Sequence, residues 1–170
     1  CYVPLFGENV IWVEANQNSF NRWTAPIAKH FQHWGFNFAA SDTNEDGYYY
    51  NNGSDEVSGL FPTTGHSPPF TTVHQRKLDD IIEQYKIDMN KFDFLNVDVE
   101  GAEHKVLKGI EKNIKYINYL FIEVANYERN CGQMLFDDMT KYVEDFGFKL
   151  NRVSDSINTL GWGDAFYVRH

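Results

Sequence analysis

Phe92-Asp93-Phe94-Leu95-Asn96-Val97-Asp98-Val99-Glu100-Gly101-Ala102-Glu103 decides how this chain reads. The first half is a short apolar run. The second half carries three carboxylates and a glycine, and a helical pattern begins behind it. A buried parallel strand that delivers charged groups to a sheet edge has this form. Ligands of open α/β sheets bind outside the carboxyl ends of the strands. Asp98, Glu100 and Glu103 are therefore expected to line a site, with the rest of the chain supporting or completing it.

Downstream, Ala102, Val106, Leu107 and Ile110 predict a helix from about Ala102 to Asn113. Ile117 to Val124 reads as a second buried strand with Glu123 near its carboxyl end. Leu135, Met139, Tyr142, Val143 and Phe146 mark a further helix stopped by Gly147. Phe148 to Val153 and Ala165 to Arg169 read as two closing strands around a turn at Gly161-Trp162-Gly163-Asp164.

Upstream, residues 2–8 are mixed and end at Gly7. Val10 to Val13 reads as a buried strand ending at Glu14. An acid at such a strand end in a nucleotide-binding sheet accepts hydrogen bonds from ribose hydroxyls. Phe20, Trp23, Ile27, Phe31 and Trp34 recur at helical spacing and read as core. Pro26 suggests a helix capped at Thr24, with Asn18 to Trp23 as a separate turn. Gly35 is expected to end it. Phe36 to Ala40 and Tyr48 to Tyr50 read as strands, with Ser41-Asp42 following the first. Asn51 to Pro69 is a long breaker-rich loop, the kind that often covers a site. Phe70 to His74 reads as an edge strand, and Leu78, Ile81, Ile82 and Tyr85 as one apolar helix face.

Strand and helix alternate, so the expected fold is α/β: a three-layer sandwich with a mostly parallel sheet and a C-terminal antiparallel hairpin, in a single domain over residues 1–170. A hydrophobic content of 42% fits a packed core. The net charge of −9, with no basic cluster, argues against nucleic acid as a partner. No apolar run approaches a membrane span. Cys1 and Cys131 make no disulfide framework, which suggests a reducing, cytoplasmic setting. The six histidines offer no metal-ligand spacing: His30 and His33 share a polar helix face, and His66 and His74 flank the long loop. Clustered carboxylates can hold magnesium, but nothing else in the sequence supports a metal.

The stretch from Phe92 to Glu103, continued by Val106-Leu107-Lys108-Gly109, closely resembles the FkbM-type methyltransferases. Their signature is an apolar strand ending in Asp, then Glu-Gly-x-Glu, then a Val-Leu-Lys-Gly helix. Val10 to Asn16, Ala39 to Gly47, Leu78-Asp79 and Gly163 to Val168 resemble further family segments in the same order. The resemblance implies a Rossmann-like class I fold and S-adenosylmethionine as cofactor. By position, Glu14 would hold the ribose hydroxyls, and Ala40, Ser41 and Asp42 would lie near the adenine. Asp98 would sit beside the methionine part, with Glu100 and Glu103 close by as catalytic candidates. The implied reaction is methylation of a hydroxyl on a small molecule or saccharide. One departure stands out. The family begins with a strand and a glycine loop, and neither precedes Cys1 to Phe6. The expectation is a chain truncated relative to the family. The alternative is an inactive relative, a binding or structural module that has lost its cofactor.

Overall fold

The computed structural model describes residues 9–53, 57–66 and 68–170. The mixed segment at 2–8 lies outside them, as does Cys1. The architecture is mixed α/β. β1 (Ile11–Glu14) pairs in parallel with β2 (Trp34–Asn37), Ile11 opposite Trp34. β3 (Ala39–Ala40) runs parallel to β5 (Phe70–Arg76), whose other edge pairs antiparallel with β4 (Asp46–Tyr50). β6 (Phe94–Val97), β7 (Tyr119–Ala125), β8 (Phe148–Val153) and β9 (Trp162–Arg169) make a four-stranded sheet in the order β6-β7-β9-β8. The β6–β7 pair is parallel and the last two pairs are antiparallel. The described residues thus form three sheets where the strand–helix alternation predicts one. Among them no ladder joins β1 to β6.

Helical segments connect the strands. α1 (Gln17–Ser19) passes through a π turn (Phe20–Thr24) into α2 (Ala25–Phe31). The cap is Asn16, whose side chain accepts from the amides of Asn18 and Ser19. The α-helix resumes at Ala25 behind Thr24 as expected, but Thr24 makes no capping bond, and the separate turn expected over Asn18 to Trp23 is itself helical and continuous with it. The π turn resolves the conflict that Pro26 posed. A proline ring clashes with the carbonyl four residues back, and one widened turn moves that carbonyl away. Helix α2 ends at Gln32, whose φ of 59° is left-handed, so Gly35 is not the stop. Gly35 instead lies in β2, where an added Cβ would meet the Ala28 Cβ at 2.9 Å. The apolar spacing of this helix does not make core: Trp23 is 58% exposed and Trp34 41%.

α3 (Leu78–Tyr85) and α5 (Phe136–Glu144) follow the predicted spacing closely, and α4 (Glu103–Gly109) ends four residues before the expected Asn113, with turns over residues 110–113. They bury Ile81, Ile82, Val106, Leu107, Met139 and Val143 against Leu120, Ile122, Phe148 and Tyr167. Each such side chain contributes roughly 1.5–3 kcal/mol. The polar end of Tyr167 is satisfied by Thr140 Oγ1 at 3.0 Å. Two expectations change. β5 runs on past His74 to Arg76, and there Gln75 and Arg76 take β3 as a second neighbour, while Phe70 to His74 pair with β4 alone. Trp162-Gly163-Asp164 belongs to β9 and is not a turn. Gly163 is buried there, and the position requires glycine because a Cβ would strike the hydroxyls of Ser154 and Ser156. The short helix α6 (Ser156–Thr159) occupies the connection instead. No helix among the described residues is long and apolar enough to cross a membrane.

Candidate active site

β6 ends at Val97, and the chain then turns sharply into α4. Glu100 and Gly101 both take positive φ, 56° and 99°. Gly101 is needed: a Cβ there would lie 3.0 Å from that of Asn130. Two buried groups hold the turn. Asn130 Nδ2 donates to the Glu100 carbonyl at 2.9 Å. Glu103 Oε1 accepts from the amides of Gly101 (2.9 Å) and Val99 (3.3 Å). Glu103 is 1% exposed, so its carboxylate lies beneath the turn and lines no opening. Burial pushes its carboxyl up to about 7 against the lowering effect of those amides.

Asp98, Glu100 and Glu123 converge. One carboxylate oxygen from each lies within 4.8 Å of the others. Asp98 is the outermost, Glu100 is half-buried, and Glu123, on β7, is buried. Asp164 faces Glu123 across the β7–β9 ladder. Against these acids stands Arg129. Its Nη1 donates to Glu123 Oε1 at 3.0 Å, and its Nη2 lies 3.8 Å from Glu100 Oε2. Its guanidinium sits 4.7 Å from the centre of the Trp162 ring. Burial and the Glu123 charge push Glu100 up to about 8, Arg129 notwithstanding. Asp98 is raised by burial and by Asp164, and Glu123 by burial.

A cleft of about 700 Å³ runs the length of β1 and β6, from Asn9 and Phe92 to Ala15 and Glu100. It brings together Glu14, Ala40, Asp98 and Glu100. Phe38, Ile81, Ile82, Val106 and Ile110 make much of its wall apolar. Tyr49, Ser58, Gly59 and Leu60 border it, so the long loop does reach the site. Gly59 packs so closely that a Cβ would lie 3.1 Å from both the Val99 carbonyl and the Glu100 Cβ. Phe61 of the same loop stacks on His104, whose imidazole is lowered by burial and by Lys105.

Ser41 and Asp42 do not line the cleft. The Ser41 hydroxyl is fully buried and donates to Gln75 Oε1 at 2.7 Å. Lys105 (3.3 Å) and Lys108 (3.4 Å) bind Asp42 to α4. Burial raises the Asp42 carboxyl, but the two ammonium groups outweigh it and hold the group below its usual range. Among the described residues no histidine lines the cleft. His33 accepts from the Trp12 indole at 3.1 Å, His74 pairs with Asp46 on the surface, and His66 is exposed. Cys131 is a free, exposed thiol.

Sequence reasoning missed Arg129 and underrated Glu123. A signal existed. Glu123 stands inside a continuous apolar strand, and a buried acid requires a counter-charge. Arg129 is the first cation after it.

A family model described as the methyltransferase FkbM domain matches residues 5–150. No curated protein and no solved structure matches the chain.

Proposed function

This chain belongs to the FkbM methyltransferase domain family, and from that premise we propose that it moves a methyl group from S-adenosylmethionine to a hydroxyl oxygen of a small molecule or saccharide. The observation that carries this reading is the shared cleft, which gathers strand-end acids from two sheets, Glu14 from one and Asp98 and Glu100 from the other. Its volume lies within the range of roughly 300–1,000 Å³ usual for small-molecule sites. An apolar wall with acids at the strand ends suits a nucleoside with ribose hydroxyls and a charged amino-acid tail. The parallel β1–β2 and β6–β7 pairs, each with a helix in its crossover, support reading both as wings of one Rossmann-like sandwich.

When bound, the cofactor supplies a methyl group on an electrophilic sulfonium. The chain's own contribution is position, which can supply about 7–11 kcal/mol in a displacement of this kind. Glu14 accepts from ribose hydroxyls. Ala40 offers a small, apolar wall for the adenine. Ser41 and Asp42 are positioning residues that tie that wall to β5 and α4. Asp98 faces the ammonium and sulfonium end. Glu100 orients the acceptor hydroxyl and takes its proton. Glu103 is a positioning residue too, fixing the turn that presents Glu100. The loop around Ser58 to Leu60 borders the acceptor side.

Calorimetric titration with S-adenosylmethionine and its demethylated product tests the reading, on this chain and on any longer natural form. Saturable binding that Asp98→Asn and Glu14→Gln each weaken at least tenfold is expected. Absence of binding in both forms overturns it and leaves the cofactor-less module.

A further inference from the structure

Three carboxylates meet at the carboxyl end of β6 and β7, and their hydrogen bonding is incomplete. Glu123 is 7% exposed, and only its Oε1 is engaged, by Arg129. Its Oε2 is buried without a hydrogen-bond donor, and so is Glu100 Oε2. A buried acceptor left unsatisfied costs about 1–3 kcal/mol, more when charged. Glu100 Oε2 has only the Arg129 guanidinium, 3.8 Å away and beyond hydrogen-bond reach, and Glu123 Oε2 has no partner, so with Asp98 beside them three acids face a single cation. A proton shared between Glu100 and Glu123 would serve those two oxygens but not Asp98.

We infer that Asp98, Glu100 and Glu123 form a binding site for a hard divalent cation at the mouth of the cleft. The ligand set is all oxygen and anionic, which selects magnesium, manganese or calcium over zinc or copper. Size narrows the choice. Two oxygens on one ion stand no further apart than twice the metal–oxygen distance, about 4.6–5.2 Å for calcium and about 4.0–4.2 Å for magnesium. Three oxygens as much as 4.8 Å apart lie about 2.8 Å from their common centre, so a calcium ion draws them in slightly and a magnesium ion must draw them in further. Three carboxylates, with Asp164 a fourth acid across the β7–β9 ladder, face one guanidinium, so a divalent ion offsets negative charge that Arg129 leaves over. Glu123 divides its two oxygens between Arg129 and the ion. Asp98, the outermost ligand, keeps the ion open to the cleft, where water or a hydroxyl-bearing ligand completes its shell. The site stands on these residues and not on the methyl-transfer reading.

The test uses the full chain in chelator-treated buffer. Manganese titration is followed by loss of the free-ion electron paramagnetic resonance signal, with calcium and magnesium as competitors. Terbium emission sensitised by Trp162, stacked on Arg129, gives a second readout. One saturable ion per chain is expected, with calcium displacing manganese better than magnesium does. Glu123→Gln and Asp98→Asn should each weaken binding at least tenfold. Asp98 lies at the open mouth, so its variant serves should the buried Glu123→Gln fail to fold. A free-ion signal unchanged up to millimolar manganese overturns the proposal in favour of the shared proton. Tight binding that survives Asp98→Asn and Glu100→Gln overturns it as well. Both outcomes are independent of any result with S-adenosylmethionine.

Discussion

Replacing Gly109 by alanine tests whether α4 rests directly on the backbone of the segment after β3. An added Cβ would lie 2.1 Å from the Ser41 carbonyl oxygen, 3.0 Å from its carbon and 3.5 Å from Lys77 Cα. Ordinary contact begins near 3.4 Å, so the two elements must part by about 1.3 Å at a site packed to crystalline density. Ser41 cannot retreat easily, because its amide donates to the Arg76 carbonyl at 3.0 Å and its hydroxyl to Gln75. Helix α4 cannot retreat either without drawing Val106 and Leu107 from the core and Lys105 and Lys108 from Asp42. Overpacking of this kind costs about 1–3 kcal/mol, occasionally more. Alanine's better helix propensity returns less than about 1 kcal/mol at a final helical residue. We expect a net loss of about 2 kcal/mol, which for a chain of this length lowers Tm by roughly 4–8 °C. Thermal melts followed by circular dichroism, with urea midpoints as a check, measure it. A Tm equal to or above that of the parent chain would refute the contact and the packing argument built on it.

Glu103 gives a pH signature. Burial raises its carboxyl from the ordinary 4.5 of a free glutamate to about 7 in the folded chain, so the folded state holds the proton more tightly. The stability this provides is complete below pH 4.5 and is lost as the pH climbs through 7, about 3 kcal/mol in all. Glu103→Gln keeps an acceptor for the two amides and removes the titration. Its stability relative to the parent should therefore rise between pH 5 and pH 8, and urea titrations showing a constant difference would count against the buried carboxylate. Arg169 makes the far end of the sheet depend on a planar fork. It donates to the carbonyls of Ile117 (2.7 Å), Ile114 (2.6 Å) and Phe146 and lies over the Phe148 ring. Arg169→Lys cannot serve three acceptors in fixed directions and should cost about 2 kcal/mol. An unchanged urea midpoint would show that the fork is dispensable.

Elements whose pattern is local were legible in the sequence. The spacing of Leu78, Ile81 and Ile82 gave α3, and the run into Asp98 gave β6 with its acids at the correct end. Two of the carboxylates that line the cleft, Asp98 and Glu100, were read from that run alone. What failed depends on contacts between distant segments. Nothing near Phe70 announces that the strand runs on to Arg76, where β3 becomes a second neighbour. The stripe from Trp23 to Trp34 has the period of a core helix, yet period alone does not say what lies opposite, and here those side chains stay exposed. Glu103 follows the same logic. A first-turn acid is favoured by the helix dipole whether it faces solvent or interior. Only the fold shows that it turns inward to hold two amides.

The left-handed backbone at Glu100 sets folding against chemistry at a single position. A residue with a Cβ pays about 1–2 kcal/mol for that conformation, and glycine pays almost nothing. Screens that reward only solubility or heat resistance should therefore drift toward glycine or asparagine at this position. Any lineage that keeps glutamate there is tolerating a weaker chain for the sake of its carboxylate.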